Sequence, residues 1–270
     1  MPTTSLPADR LVADQLSLGY GDRPVAAGLS LTIPDGSFTV IIGPNACGKS
    51  TLLKALARVL APHAGQVLLD GRPISARPPK EVARQLGLMA QSAQAPTGIT
   101  VADLVSRGRY PHQSLLRQWS PDDATAVAEA MARAGVADLA ARFVDELSGG
   151  QRQRVWLAMA LAQKTKILLL DEPTTFLDIG HQHELLELCA ELHADGHTLV
   201  AVLHDLNQAA RYASHLVALA PGGTVVASGP PAEVVTAELV EELFGLRCRV
   251  IEDPESGAPM VIAARRTAYR

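Results

Sequence analysis

Cysteine is scarce in this 270-residue chain: Cys47, Cys189 and Cys248 are an odd, widely spaced set with no metal-type pair. That usage excludes a disulfide framework and fits a reducing compartment. A basic excess is also missing. Lys and Arg number 24 against 28 Asp and Glu, for a formal net charge of -4, which argues against a general nucleic-acid binder. No apolar run reaches the ~18 residues that a membrane span needs. The best candidate, Val155 to Leu170, is broken by Gln163, Lys164 and Lys166. Residues 1–10 have no apolar core and carry Asp9, which is not the pattern of a signal peptide. Internal repeats and low-complexity tracts are absent. What the chain has in quantity is apolar residues, 47%, enough for a sizeable core in one large α/β domain or in a core with an insert.

The order of elements follows from periodicity and turn residues. Leu11 to Tyr20, Leu29 to Ile33 and Phe38 to Ile42 read as strands, the last two split by Pro34-Asp35-Gly36. Lys49 to Leu60 has helical spacing through Leu52, Leu53, Leu56, Val59 and Leu60. Gln66 to Asp70 predicts a short strand, Pro78 to Gln85 a short helix and Leu86 to Ala90 a strand. After Gln91 the pattern turns helical: Thr100 to Arg107, Pro121 to Ala134 and Ser148 to Ala162, with Thr100 and Ser120 as N-caps. Alternation then resumes: strand Ile167 to Leu170, helix His181 to Ala194, strand Thr198 to Leu203, helix Leu206 to Ala213, strands Leu216 to Leu219 and Thr224 to Ala227. Such alternation implies a mostly parallel sheet. The last ten residues read as a strand and a frayed tail.

Gly43-Pro44-Asn45-Ala46-Cys47-Gly48-Lys49-Ser50-Thr51 matches G-x-x-x-x-G-K-[ST] and stands between a predicted strand and a predicted helix, the context this phosphate loop requires. Backbone N–H groups and the helix N-terminus make a positive concavity for phosphates. Lys49 is expected to reach the β- and γ-phosphates of ATP, and Ser50 to offer its hydroxyl to Mg²⁺. Ala46 departs from the glycine usual there, so the backbone at 46 is either not left-handed or strained. Cys47 reads as a loop filler or as an alkylation target.

Ile167-Leu-Leu-Leu-Asp171-Glu172-Pro173 is an apolar run ending in two carboxylates. Asp171 is placed to hold Mg²⁺, and Glu172, one residue on, to take a proton from an attacking water. Leu147-Ser148-Gly149-Gly150-Gln151-Arg152-Gln153-Arg154 opens a helix, with Ser148 as N-cap and a second anion-binding helix start.

The Ser148 segment, 23 residues before Asp171, resembles the signature of the ABC ATPase family. The rest of the order fits that resemblance over about residues 8 to 250. It implies that Tyr20 stacks on adenine and that Gln91 meets Mg²⁺ and the attacking water. It further implies that Asp178, in the Leu177-Asp178 pair that follows the acidic residues by the family's spacing, is a nucleotide-binding residue, and that His204, 33 residues after Asp171, contacts the γ-phosphate. The implied fold is a P-loop α/β core with a mostly parallel sheet and an N-terminal antiparallel β subdomain. Its expected core is 1–91 with 164–250, the helical subdomain 92–163, and the tail 251–270. The family pairs two such domains head to tail, so a chain with one motif set is expected to form a homodimer. ATP would then lie between the phosphate loop of one copy and Ser148, Gly149, Gly150 and Gln151 of the other.

A chain of this kind resembles the separate ATPase subunit of a prokaryotic importer. It would sit at the cytoplasmic face of the membrane against polytopic permease subunits, served indirectly by a substrate-binding protein, with no nucleic acid involved. The partner-facing part of such subunits lies between Gln91 and Trp119. Here its Gly108-Arg109-Tyr110-Pro111-His112 run resembles ferric-siderophore importers, with vitamin B12 and haem importers as near relatives. A soluble ATPase of the same family is the remaining alternative.

Overall fold

The computed structural model describes residues 10–91, 94–114 and 119–265. The expectations for the N-terminus at 1–9 and for the frayed end at 266–270 lie outside the described residues. In chain order the elements begin with β1 (Leu11–Tyr20), β2 (Arg23–Ile33), β3 (Phe38–Ile42), α1 (Lys49–Leu56), β4 (Ala64–Leu69) and β5 (Arg72–Pro73). Next come α2 (Pro79–Ala83), β6 (Leu86–Met89), α3 (Val101–Ser106), α4 (Pro121–Arg133), α5 (Gly149–Ala162), β7 (Ile167–Asp171), α6 (Ile179–Ala194) and β8 (Thr198–Val202). The chain closes with α7 (Leu206–Tyr212), β9 (His215–Ala220), β10 (Thr224–Gly229), α8 (Pro231–Val234), α9 (Ala237–Phe244), β11 (Cys248–Glu252) and β12 (Pro259–Ala263).

Two compact units divide the chain: residues 1–73 with 200–270, and residues 74–199. In the first, β1 pairs antiparallel with β2 (Leu11 opposite Ile33) and with β4 (Leu11 opposite Leu69). The same unit holds a parallel pair, β3 with β9, in which Thr39 faces His215 and Ile42 faces Ala218. All five residues of β3 are buried, as expected of an apolar run covered on both faces. In the second unit β6 and β7 run parallel, Leu86 opposite Ile167 and Met89 opposite Leu170, and β7 is again buried throughout. Helices α3, α4 and α5 form the insert, and α4 and α5 open with complete capping boxes at Ser120 and Ser148. The architecture is the α/β class expected, with an N-terminal antiparallel sheet and a helical insert.

Two differences have local causes. Helix α1 stops at Leu56 rather than Leu60, because Arg58 turns left-handed (φ 60) and the Val59 and Leu60 N–H groups close back on the Lys54 carbonyl. The C-terminal region expected as a tail carries a hairpin, β11 paired with β12 from Cys248–Ala263 to Glu252–Pro259, preceded by α9.

Candidate active site

The phosphate loop lies in the first unit, between buried β3 and α1. At Gly43 (φ 151) an added Cβ would stand 2.3 Å from the Leu219 carbonyl oxygen, so only glycine lets β3 turn out there. Gly48 holds φ 107 at the start of α1, a conformation that L side chains rarely adopt. Ala46 adopts φ 63, so the strained alternative of the two expected for it holds. Lys49 is 5% exposed and donates from Nζ to the Gly43 and Pro44 carbonyls at 2.8 and 2.9 Å. Its ammonium is therefore folded over the loop's inner face. Cys47 is 1% exposed beneath the loop, and burial pushes its thiol pKa up against the opposing charge of Lys49. Of its two readings, the packed filler fits and the alkylation target does not. Thr51 is buried, while Pro44 and Ser50 are half-buried and Asn45 is exposed. Tyr20 ends β1 opposite Arg23 and is half exposed. His204, also in this unit, is exposed immediately before α7, whose N-cap is Asp205.

The second unit holds the acidic turn. Asp171 is the last residue of β7 and is 1% exposed. Glu172 follows with φ 52, a left-handed conformation uncommon for a non-glycine residue. Its carboxylate Oε2 accepts from Gln91 Nε2 at 2.5 Å and from Thr175 Oγ1 at 3.2 Å. Gln91 and Glu172, 81 residues apart in sequence, are thus brought together. Backbone strain of order 1–3 kcal/mol at such a residue persists only where the surroundings over-determine it. Here Gln153 of α5, 7% exposed, donates from Nε2 to the Glu172 and Pro173 carbonyls at 3.4 and 3.1 Å. Gln153 and Thr175 are residues that sequence reasoning missed; Gln153 stands within the signature segment, but its partners are main-chain atoms with no sequence signal.

Helix α5 starts at Gly149. The Ser148 hydroxyl accepts from the Gln151 N–H at 3.3 Å, and the Ser148 N–H donates to Gln151 Oε1 at 3.1 Å. The Gly150 position is close to Leu177: an added Cβ would be 3.0 Å from its Cδ2. Asp178 caps α6, accepting from the His181 N–H at 2.9 Å, with its other oxygen 2.8 Å from His181 Nδ1. On either side of it Phe176 and Ile179 are 79% and 85% exposed, an apolar edge beside the capped start of α5.

The Gly108–His112 run differs from the outward face expected of it. Arg109 is 6% exposed and donates to Asp123 Oδ1 at 2.8 Å and to the Ala162 carbonyl at 2.7 Å. Burial pushes the Asp123 carboxyl up, but hydrogen bonds from Arg109 and Ser120 outweigh it and hold it below the usual carboxylate range. His112 Nε2 lies 2.8 Å from the Gln163 carbonyl, and a Cβ at Gly108 would meet the Met159 carbonyl at 2.2 Å. The run is the spine joining α3, α4 and α5. Only Tyr110 points out, 64% exposed with the Lys80 ammonium 4.4 Å from its ring centre.

Residues 26–175 match the family model described as ABC transporter. The ferric enterobactin transport ATP-binding protein of Escherichia coli is 58% identical over 260 residues, covering 96% of both chains. A siderophore transport system ATP-binding protein of Bacillus subtilis is 53% identical over 250 residues, 92% of this chain and 90% of that one. Among solved structures, a metal-chelate type ABC transporter in an inward-facing conformation superposes with a TM-score of 0.79 at 27% identity, covering 95% of this chain and 97% of that one.

Proposed function

The chain belongs to the ABC transporter family, and from that premise we propose that it is the ATP-hydrolysing subunit of a membrane importer for ferric siderophores. The observation that carries the catalytic part is the acidic turn. Glu172 is held left-handed at the end of a buried strand, its carboxylate engaged by Gln91 and Thr175 and its carbonyl by Gln153.

ATP binds with its phosphates on the N–H groups of Gly43–Thr51 and its adenine against Tyr20. Lys49 exchanges its loop carbonyls for phosphate oxygens. Glu172 accepts the proton of the water that attacks the γ-phosphorus as the bond to the bridging oxygen breaks, while Gln91 orients that water and His204 the γ-phosphate. Ser50, Gln91 and Asp171 bring hydroxyl, amide and carboxylate oxygens, a donor set that suits a hard divalent cation. We assign Mg²⁺ to them; when bound it neutralises charge on the phosphates.

Ser148, Gly149, Gly150 and Gln151 of a second copy close over the same ATP, with Asp178 at that interface. Phe176 and Ile179 beside Asp178 are exposed, and a second copy placed there would cover both. The division of the chain is read as one ABC ATPase domain: core at 1–91 and 164–250, helical subdomain at 92–163, and a C-terminal end from 251. Among the described residues no helix is long and apolar enough to cross a membrane. Contact with the membrane is read as peripheral, through polytopic permease subunits at the cytoplasmic face, with a binding protein delivering the cargo. The 58% and 53% identical relatives, both named for siderophore transport, support that cargo class.

Glu172→Gln tests the chemistry. Turnover should fall at least ~100-fold, the scale of a lost general base, while ATP still binds and traps a dimer in gel filtration. Turnover at the parent rate would overturn the base assignment. The cargo is tested by uptake of radio-iron-loaded siderophore into cells lacking their own ATPase subunit. This chain should restore it and Lys49→Ala should not; restored haem or vitamin B12 uptake instead would move the cargo class.

A further inference from the structure

We propose that the C-terminal hairpin β11–β12 positions His204 for ATP hydrolysis by anchoring helix α7, with Asn207, Arg211 and Asp253 as the positioning residues. The proposal rests on the reading of His204 as a γ-phosphate contact.

Helix α7 begins two residues after His204 and is only seven residues long. A helix of that length has almost no stability of its own, so its position is set by what holds it. Its buried face offers Ala209 and Ala210, small side chains with little area to bury. At its N-terminus the Asp205 carboxylate accepts from the Asn207 and Gln208 N–H groups at 2.8 and 3.0 Å. Beyond its C-terminus Ser214 is tied to the start of β3, its N–H to the Phe38 carbonyl at 3.0 Å and its hydroxyl accepting from the Phe38 N–H at 2.9 Å. These contacts fix the two ends, and the buried alanine face sets the helix against the unit's core.

The hairpin adds side-chain contacts along the helix's outer side. Asn207 makes a fork to one residue of β12: its Oδ1 accepts from the Val261 N–H at 2.7 Å and its Nδ2 donates to the Val261 carbonyl at 3.3 Å. One turn on, on the same face, Arg211 donates from Nε and Nη2 to Asp253 Oδ2 at 2.9 and 2.6 Å. Asp253 is itself held. Its carboxylate accepts from the Ser256 hydroxyl at 2.8 Å and the Glu255 N–H at 3.1 Å, and its N–H donates to the Ala258 carbonyl at 2.8 Å. It is 6% exposed although it stands in a turn. A free two-stranded hairpin is marginal in water, so hairpin and helix fix each other. The result is a two-point clamp on the helix whose N-cap, Asp205, directly follows His204. A side-chain displacement of about 1 Å at a reacting group can cost on the order of 100-fold in rate, so a clamp this close controls turnover without touching ATP.

The test measures kcat and KM for ATP in the full-length chain. Asp253→Ala and Asn207→Ala should each lower kcat roughly tenfold with KM for ATP within about twofold, since the phosphate loop is untouched. Arg211→Ala should do the same. Arg211→Lys should recover most of the loss, because both Arg211 contacts end on one oxygen. His204→Ala combined with Asp253→Ala should be no slower than His204→Ala alone, as expected when two residues act through one step. If the two losses multiply, the hairpin acts elsewhere and the proposal is wrong. If His204→Ala is slow while Asp253→Ala and Asn207→Ala run at the parent rate, the proposal falls and the reading of His204 stands. His204→Ala at the parent rate would overturn both.

Discussion

Ala46 and Glu172 are residues of the candidate site whose main chain is left-handed without glycine, at φ 63 and φ 52. For an L-residue that conformation costs about 1–2 kcal/mol. At Ala46 the side chain is an exposed methyl with little packing to offset the cost. Ala46→Gly removes the strain but adds about 0.4–1 kcal/mol of unfolded-chain freedom. The net expectation is a gain of about 0.5–1 kcal/mol in urea unfolding without nucleotide; a loss would show that the methyl makes contacts worth more than the strain. Glu172 differs because its conformation is held from three sides. Its carboxylate is engaged by Gln91 and Thr175 and its carbonyl by Gln153. Strain kept under such restraint marks a group whose direction matters, and it is the residue proposed to take the proton.

At the scale of elements, the helical insert depends on one buried ion pair. Arg109 and Asp123 have side chains 8% and 7% exposed, and Asp123 also completes the capping box at the start of α4. Asp123→Ala leaves a buried guanidinium without its carboxylate, a loss of about 3–5 kcal/mol. That should appear in thermal unfolding of the apo chain as a lowered midpoint, and an unchanged midpoint would mean that Arg109 finds water instead. The hairpin's ion pair has a different signature. The Arg211 guanidinium, with Ser256 and the Glu255 N–H, holds the Asp253 carboxyl at about 2, below its unfolded value of roughly 3.9. A depressed folded pKa stabilises above the unfolded value and is lost as pH falls through the folded one. The hairpin anchor should therefore persist at pH 5 and dissolve between about pH 4 and pH 2. Amide exchange at the Val261 N–H would follow it. Early protection loss, above pH 5, would mean the pair does not hold the hairpin.

Which elements could be read in advance follows from where their signals lie. Strands Leu11–Tyr20 and Phe38–Ile42 and the caps at Thr100, Ser120 and Ser148 match because periodicity and cap chemistry are local. A strand is expected in the last ten residues and β12 overlaps it, but its pairing with Cys248–Glu252 was not legible, since both are short, half-exposed strands whose anchor, Arg211, lies 42 residues from Asp253. The Gly-Arg-Tyr-Pro-His run was legible as a motif but not as a place in the fold. Its polar residues suggest a surface, whereas Arg109 is buried by partners that only the folded insert brings to it.

Across the whole molecule, the residues proposed for nucleotide contact run from Tyr20 to His204 and belong to two compact units. The phosphate loop, Tyr20 and His204 are in one; Gln91, Asp171, Glu172, Ser148 and Asp178 are in the other. The Gly43–Thr51 loop, Asp171-Glu172 and the Ser148 segment are each marked by a short motif, whereas Tyr20, Gln91, Asp178 and His204 enter only through the family resemblance. If ATP contacts groups in both units, it should stabilise the chain as a whole rather than one part. In a Glu172→Gln background, where ATP is not consumed, saturation at about 100 times the dissociation constant adds about 2.7 kcal/mol. At roughly 2–4 °C per kcal/mol for a chain of this size, the unfolding midpoint should rise by about 5–10 °C. Adding Lys49→Ala should abolish the rise, since the ammonium that now bonds the Gly43 and Pro44 carbonyls would be absent. A full rise in the double variant would show that ATP is held elsewhere, and a rise confined to one of two separable transitions would show that only one unit meets it.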